Sequence, residues 1–187
     1  VNIIGLDEVG RGAWAGPVVS AAVGLALPID GLRDSKKLSF KKRQQLKTII
    51  YKQAFYVGIG VVDNFFIDQF GLTQAVKYSM LLALINYHGQ KCQCLVDGNY
   101  NYLAGLYDSQ VVIGGDDQIY QISAASIVAK VFRDELMSSY HQIWPQYGFD
   151  RHVGYGTSLH LRTIQQYGLC LIHRQSFRPI NGYKLSA

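Results

Sequence analysis

Short apolar runs bounded by charge and glycine alternate along the chain with longer stretches of helical period. "NIIGL" (2–6) reads as a buried strand. "PVVSAAVGLAL" (17–27) reads as a second, opening after Pro17, where proline is tolerated. A glycine-rich turn joins them, which predicts a hairpin with a longer loop. Within 33–52 the pattern predicts an amphipathic helix with Ser39 at its N-cap and Phe40, Leu46, Ile49 and Ile50 as its apolar positions. "AFYVGIGVV" (54–62) has the aromatic and β-branched content of a strand. Asp63 or Asn64 is expected to cap one long helix running through "LTQAVKYSMLLALINYH". "CQCLVDG" (92–98) predicts a short buried strand ending at Asp97, and "SQVVIGGDD" (109–117) another ending at Asp116 and Asp117. A strong helix is expected over 123–144, capped by Ser123 and ended by Pro145. A last one is expected over 157–168, ended by Gly168. Interleaved strands and helices after an initial hairpin predict an α/β fold: a mixed central sheet flanked by helices. The expected domain is single, 1–187, with 145–187 a helical C-terminal extension packed on it.

Composition supports a packed core. Of 187 residues, 49% are apolar and 17% charged, a globular balance. The formal net charge of +5 is compatible with a polyanionic partner. Three cysteines without a repeating framework do not make a disulfide scaffold, and Cys92 and Cys94 lie on one face of a strand without the further Cys or His that zinc needs. No apolar run is long enough for a membrane span, and the start lacks the basic segment and cleavage site of a signal peptide. The expectation is a reduced, cytoplasmic, monomeric protein. Repeats and low-complexity tracts are absent from the sequence.

Charge changes the picture in one segment. Between residues 33 and 52, Lys and Arg hold eight positions and Asp34 is the sole acid. Such a run is ordinarily a solvated helix face; the sharper reading is a phosphate-facing surface.

The three apolar runs "IIGLDE", "QCLVDG" and "VVIGGDD" all end in acid. In an α/β sheet, sites are built at strand ends. If these strands are neighbours, Asp7, Glu8, Asp97 and Asp116 or Asp117 crowd together, and repulsion would force a proton onto one of them unless a divalent cation intervenes. Hard oxygen ligands suit Mg2+ or Mn2+. Singly, each acid has an ordinary reading: Asp97 in an Asp-Gly-Asn turn, Asp116 and Asp117 at a helix start, Glu8 paired with Arg11. Together, in a basic protein, they suit two-metal phosphodiester hydrolysis. Successive strand residues face opposite sides, so Asp7 and Glu8 are expected to share a cluster only if the chain turns there, and "VGRG" supplies a turn.

"GLDEVGRGAWAGPVV", "DSKKLS", "LVDGN", "ISAASIVAKVFRD" and "GYGTSLH…HRQSF" stand in family order and cover nearly the whole chain. They resemble ribonuclease HII, the type 2 ribonuclease H of bacteria. The resemblance implies a ribonuclease H-like fold and an endonuclease dependent on Mn2+ or Mg2+. It implies cleavage of the RNA strand of RNA–DNA hybrids, and cleavage 5′ of single ribonucleotides in duplex DNA, leaving 3′-hydroxyl and 5′-phosphate ends. The family's four metal-binding acids fall on Asp7, Glu8, Asp97 and Asp116, with Asp117 the rival for the last. Gly10, Arg11 and Gly12 match the turn that recognises the ribose 2′-hydroxyl, Tyr155 the tyrosine at the RNA–DNA junction, and Lys36 and Lys37 basic residues near the site. Gly115 and Val153 are read as standing where family members often carry lysine.

The alternatives are another metal-dependent nuclease of the same fold, such as a type 1 ribonuclease H or a junction resolvase, and a non-catalytic nucleic-acid-binding module. The binding module leaves the acid-ended strands unexplained. A dinucleotide-binding protein is weaker, since "GRGAWAG" lacks the glycine spacing.

Overall fold

The structure is a computed structural model that describes residues 1–32 and 38–185. Its centre is a five-stranded sheet in the order β3-β2-β1-β4-β5. The strands are β1 (Asn2–Val9), β2 (Val18–Gly24), β3 (Tyr56–Val62), β4 (Cys92–Asp97) and β5 (Ser109–Val112). β1–β2 and β2–β3 are antiparallel, as the expected hairpin requires. β1–β4 and β4–β5 are parallel, so the sheet is mixed.

The helices are α1 (Phe40–Gln53), α2 (Asn64–Phe70), α3 (Leu72–Leu84), α4 (Gly115–Gln118), α5 (Tyr120–Ile143), α6 (Phe149–His152) and α7 (Ser158–Tyr167). Every residue of β2 is buried, because both faces of the sheet are covered. Its alternation divides the core. Val18 and Ala22 join the cluster under α2 and α3 with Ile67, Val76, Met80 and Ala83. Val19, Ala21 and Val23 join the cluster under α1 and α5 with Leu46, Ile50, Ala125 and Val128. Ser20 lies on the α3 side and shares a 2.6 Å hydrogen bond with Ser79, so neither buried hydroxyl is orphaned.

Two caps agree with the sequence: the Ser39 hydroxyl accepts from the Lys42 N–H at 3.3 Å, and the Asp63 carboxylate from the Phe66 N–H at 2.9 Å. Thr157, expected inside the last helix, caps it instead, its hydroxyl accepting from the His160 N–H at 3.2 Å. Of the apolar positions expected on α1, Leu46 and Ile50 are buried while Phe40 and Ile49 stay exposed. Three expectations are corrected. The long helix after β3 is two helices, broken at Gly71, whose φ of 83° no helical residue adopts. α5 begins at Tyr120, three residues before Ser123, so Ser123 is inside the helix and gives its hydroxyl hydrogen to the carbonyls of Asp116 and Ile119. β5 ends at Val112, and Asp116 and Asp117 occupy a single helical turn rather than a strand end. The Gly114–Gly115 pair turns the chain before them.

Residues 145–185 run through α6, α7 and intervening turns, and pack Tyr147, Phe149, Ile164, Leu169, Ile172 and Ile180 against Ala15 and Met137. The polar centre of this layer is a histidine stack. His160 Nε2 and His173 Nε2 are 3.0 Å apart, and His152 stacks on His160 at 4.3 Å. Among the described residues, no helix is long and apolar enough to cross a membrane.

Burial pushes His160 down to about 3 and His173 down to about 4. Both therefore stay neutral in the fold at pH values where the unfolded chain would protonate them. Stability from this pair is full above about pH 6.5 and is lost as pH falls toward 4. At pH 5 the loss is expected to be about 2 kcal/mol per histidine. Denaturant unfolding at pH 7.5 and pH 5 checks this, and a His160→Asn, His173→Asn variant should show a flatter pH profile over that window.

Candidate active site

Parallel pairing sets the site. The β1–β4 register places Leu6 opposite Val96, so the next residue of each strand, Asp7 and Asp97, comes to the same end of the sheet. β1 continues through Glu8 to Val9, beyond its last pairing with β4. The strand therefore runs through both acids, and the "VGRG" turn follows them from Gly10, so the two share the cavity without a turn at the Asp7–Glu8 step. α4 delivers Asp116 to the same place. Asp7, Glu8, Asp97 and Asp116 all line one cavity of about 370 Å3, together with Val9, Arg43, Ser126, Ile127 and Lys130. Asp117, the rival for the fourth position, is exposed and is not part of that lining.

The acids are held in low-dielectric surroundings. Asp7 is 8% exposed and Asp116 1%. Burial first, then the neighbouring charges of Glu8 and Asp97, push the Asp7 carboxyl up to about 8; hydrogen bonds from Ser126 and from the Glu8 N–H oppose this. The Glu8 N–H reaches Asp7 Oδ1 at 2.7 Å. Glu8 is raised mainly by burial, and the Arg11 guanidinium, 2.9 Å from Oε1, pulls it back. The ordinary pairing of Glu8 with Arg11 thus exists alongside its place in the cavity. Arg11 is itself steadied by the Tyr102 hydroxyl at 2.8 Å. Asp97 Oδ1 accepts from the Gly115 N–H at 2.8 Å, which ties the end of β4 to the start of α4.

Among the described residues, no group of three His, Cys, Asp or Glu is gathered tightly enough to hold a metal ion as it stands. The acids ring a cavity rather than forming a closed ligand set. Their chemistry nonetheless fits a divalent cation: four carboxylates are oxygen donors, and the raised Asp7 carboxyl marks a site short of positive charge.

Beside the cavity, the Gly10–Gly12 turn separates two kinds of glycine. Gly10 has φ 92°, and a Cβ there would lie 2.3 Å from Arg133 Nε. Gly12 is exposed, and a Cβ there would meet nothing closer than Tyr155 Cε1 at 4.0 Å. Tyr155, half-buried, is bridged to Ala13 through the main chain, so turn and ring are adjacent. Lys36 and Lys37 lie outside the described residues. The sequence reading missed Ser126 and Lys130 as cavity residues. Their spacing of four on α5 was visible, but the face they share was not. Arg43 was read only as part of a basic run, yet it reaches the cavity, while Lys41 and Lys42 are exposed. Counting back from Asp116, the lysine position of a Lys-Gly-Asp triplet falls on Gly114 rather than Gly115.

The sequence profile described as Ribonuclease HII matches residues 4–180. The chain belongs to the ribonuclease HII family. It is 45% identical over 180 residues to Ribonuclease HII of Francisella philomiragia, covering 95% of this chain and 97% of that one. Among solved structures, ribonuclease H2 from Pyrococcus horikoshii OT3 matches with a TM-score of 0.79 at 22% identity, over 97% and 96% of the two chains. That likeness establishes the ribonuclease H-like fold. Bst-RNase HIII in complex with Mn2+ matches with a TM-score of 0.69 at 18% identity, over 97% of this chain and 68% of that one.

The burial of like charges in this ribonuclease HII family member predicts a stability cost. Because the folded Asp7 carboxyl is raised well above its unfolded value, its contribution becomes more unfavourable as pH rises from about 4 toward 8. In metal-free buffer at pH 7, Asp7→Asn is expected to raise Tm by several degrees. Calorimetry with chelator present measures this; an unchanged or lowered Tm would show that the buried charge is not destabilising.

Proposed function

We propose that this chain is a divalent-metal-dependent endoribonuclease that hydrolyses the RNA strand of RNA–DNA hybrids and also cuts 5′ of single ribonucleotides in duplex DNA, leaving 3′-hydroxyl and 5′-phosphate ends. The observation that carries this reading is the convergence of Asp7, Glu8, Asp97 and Asp116 on one cavity beside a glycine turn.

Asp7, Glu8, Asp97 and Asp116 are the residues that would hold Mn2+ or Mg2+. When bound, two such ions supply Lewis-acid stabilisation of the phosphate and lower the pKa of an attacking water. The protein's own contribution is positional. Ser126 and the Glu8 N–H fix the Asp7 carboxyl, and the Gly115 N–H fixes Asp97. Arg43 and Lys130 line the same cavity and offset the negative charge of an approaching phosphodiester.

Recognition is assigned to the turn and Tyr155. Packing explains glycine at position 10 but not at position 12, where there is room for a side chain. An unhindered, exposed backbone is what close approach of a ribose requires, and the 2′-hydroxyl is what separates RNA from DNA. Tyr155 lies against this turn and offers a flat ring to a neighbouring sugar. The basic Lys36, Lys37, Lys41 and Lys42 would track the duplex backbone.

The test is cleavage of a defined RNA–DNA hybrid and of a duplex carrying one ribonucleotide, each with Mg2+ and with Mn2+. Both are expected to be cut; a protein inert on both with either ion would overturn the reading. Asp97→Asn is expected to abolish turnover with the fold intact by circular dichroism. Asp116→Asn should be far more damaging than Asp117→Asn, and the reverse order would reassign the fourth acid. Gly10→Ala should destabilise the fold by about 1–3 kcal/mol. Gly12→Ala should melt like the parent yet cleave poorly. Tyr155→Ala should reduce cleavage at a single ribonucleotide more than cleavage of a long hybrid, because a long hybrid offers many productive registers. Equal loss on both substrates with a lowered Tm would make Tyr155 a structural residue.

A further inference from the structure

Among the described residues, Arg133 and Arg174 are the two largest side chains that are wholly buried, each 0% exposed. Neither forms an ion pair among the described residues. Isolated buried charge is expensive, so two such groups in one small domain call for a function. Their hydrogen bonds supply it. Arg133 donates from Nε to the Pro17 carbonyl at 2.9 Å, from Nη2 to Ala15 at 3.1 Å and from Nη1 to Val153 at 2.8 Å. Arg174 donates from Nε to the Gly16 carbonyl at 3.0 Å and from Nη1 to Arg11 at 2.9 Å. Four of the five acceptors belong to residues 11–17, the irregular stretch between β1 and β2. The fifth precedes Tyr155 by two residues, and the Arg133 guanidinium lies 5.5 Å from the Tyr155 ring centroid.

The stretch from Arg11 to Pro17 lies outside the five strands and pairs only through isolated bridges among the described residues, Ala13 with Tyr155 and Ala15 with His173. The two guanidiniums take the place of a sheet ladder. Only arginine can do this, because its planar fork carries several donors in fixed directions, whereas lysine offers a compact ammonium. The backbone completes the clamp: the Trp14 N–H donates to the Gly154 carbonyl at 2.8 Å, and the Arg174 N–H to the Trp14 carbonyl at 2.8 Å.

We propose that Arg133 and Arg174 are positioning residues for ribonucleotide recognition: they lock the Gly10–Gly12 turn and the Tyr155 ring into one rigid unit. This rests on the reading above that the turn and ring read the sugar. The four acids keep their own supports, so the two arginines govern where the strand is cut more than whether the cavity can cut.

The experiment uses Arg133→Lys and Arg174→Lys, which retain charge and lose the fork. Cleavage at a single ribonucleotide in duplex DNA is expected to fall about tenfold more than cleavage of a long RNA–DNA hybrid, with cuts scattered to neighbouring phosphates, since small misplacements of reacting groups are costly. In a second arm, amide hydrogen exchange on the free protein should speed up across residues 11–16 while the β1–β4 ladder stays protected. Parallel loss on both substrates, or unchanged exchange at 11–16, would overturn the proposal and leave the arginines as general supports of the fold. Phe177→Leu trims the ring 5.0 Å from the Arg174 guanidinium without removing a hydrogen bond, and is read by the same two arms if a lysine variant does not fold. Should the parent fail to cut at single ribonucleotides, the functional reading falls, and the exchange arm still decides whether the arginines fix the turn.

Discussion

The carboxylate end of the sheet depends on a single pairing register. Parallel alignment of β1 with β4, Leu6 opposite Val96, brings together the first residues after the apolar runs of the two strands, and those residues are Asp7 and Asp97. The register is fixed by burial: Ile4, Leu6, Cys94 and Val96 must all face one apolar cluster, and a one-residue slip would turn one strand's set to the opposite face, where α5 packs directly on Gly5. The hydrophobic effect, acting on neutral side chains, therefore forces carboxylates into proximity that they would avoid on their own. The helix that closes the cavity can come near only because Gly5 lacks a side chain; a Cβ there would be 2.3 Å from the Gln121–Ile122 backbone of α5. The strand glycine is thus what lets Ser126 and Lys130 reach the acids.

Such a site stores unfavourable electrostatics in the free protein. Asp7 is pushed up to about 8 by its burial and its neighbours, and Glu8 is kept in check by Arg11. This is the arrangement expected where a group is shaped for a bound charge rather than for folding. The remainder of the domain compensates with two apolar layers on either face of the sheet and a third under the C-terminal segment.

The strands, the hairpin and the acid-ended runs were legible in the sequence because they depend on local alternation and on bounded apolar stretches. The acids were legible as a set because three runs stopped in the same manner. Less was legible where tertiary contacts decide. Asp116 belongs to a one-turn helix after Gly114–Gly115, and nothing local separates that from a strand end. Gly71 breaks a helix whose hydrophobic period continues across it. Arg133 and Arg174 were invisible as interior groups, since arginine in a sequence reads as surface; their burial follows from loop carbonyls contributed by residues more than a hundred positions away. Ser123 had the composition of a cap, but its hydroxyl is used inside the helix to hold the turn that carries Asp116.

The C-terminal segment belongs to this account because Arg174 sits within it. The Asn64 side chain donates to the Leu171 and His173 carbonyls at 2.9 and 3.1 Å, and Asp68 accepts from the Gln175 and Ser176 N–H groups at 2.9 and 3.0 Å. Both anchors lie on α2, which directly follows β3. The route from the sheet to the loop between β1 and β2 is therefore continuous: β3 sets α2, α2 sets residues 171–176, and Arg174 sets the carbonyls of Arg11 and Gly16. The acids take their positions from β1, β4 and α4 without passing through this route. The two sets of supports share α5, which carries Ser123 and Ser126 toward the acids and Arg133 toward the loop, and they touch again at Glu8 and Arg11, where a 2.9 Å ion pair joins the last acid of the strand to the first side chain of the turn. A disturbance in the C-terminal segment should therefore reach the Gly10–Gly12 backbone before it reaches the carboxylates.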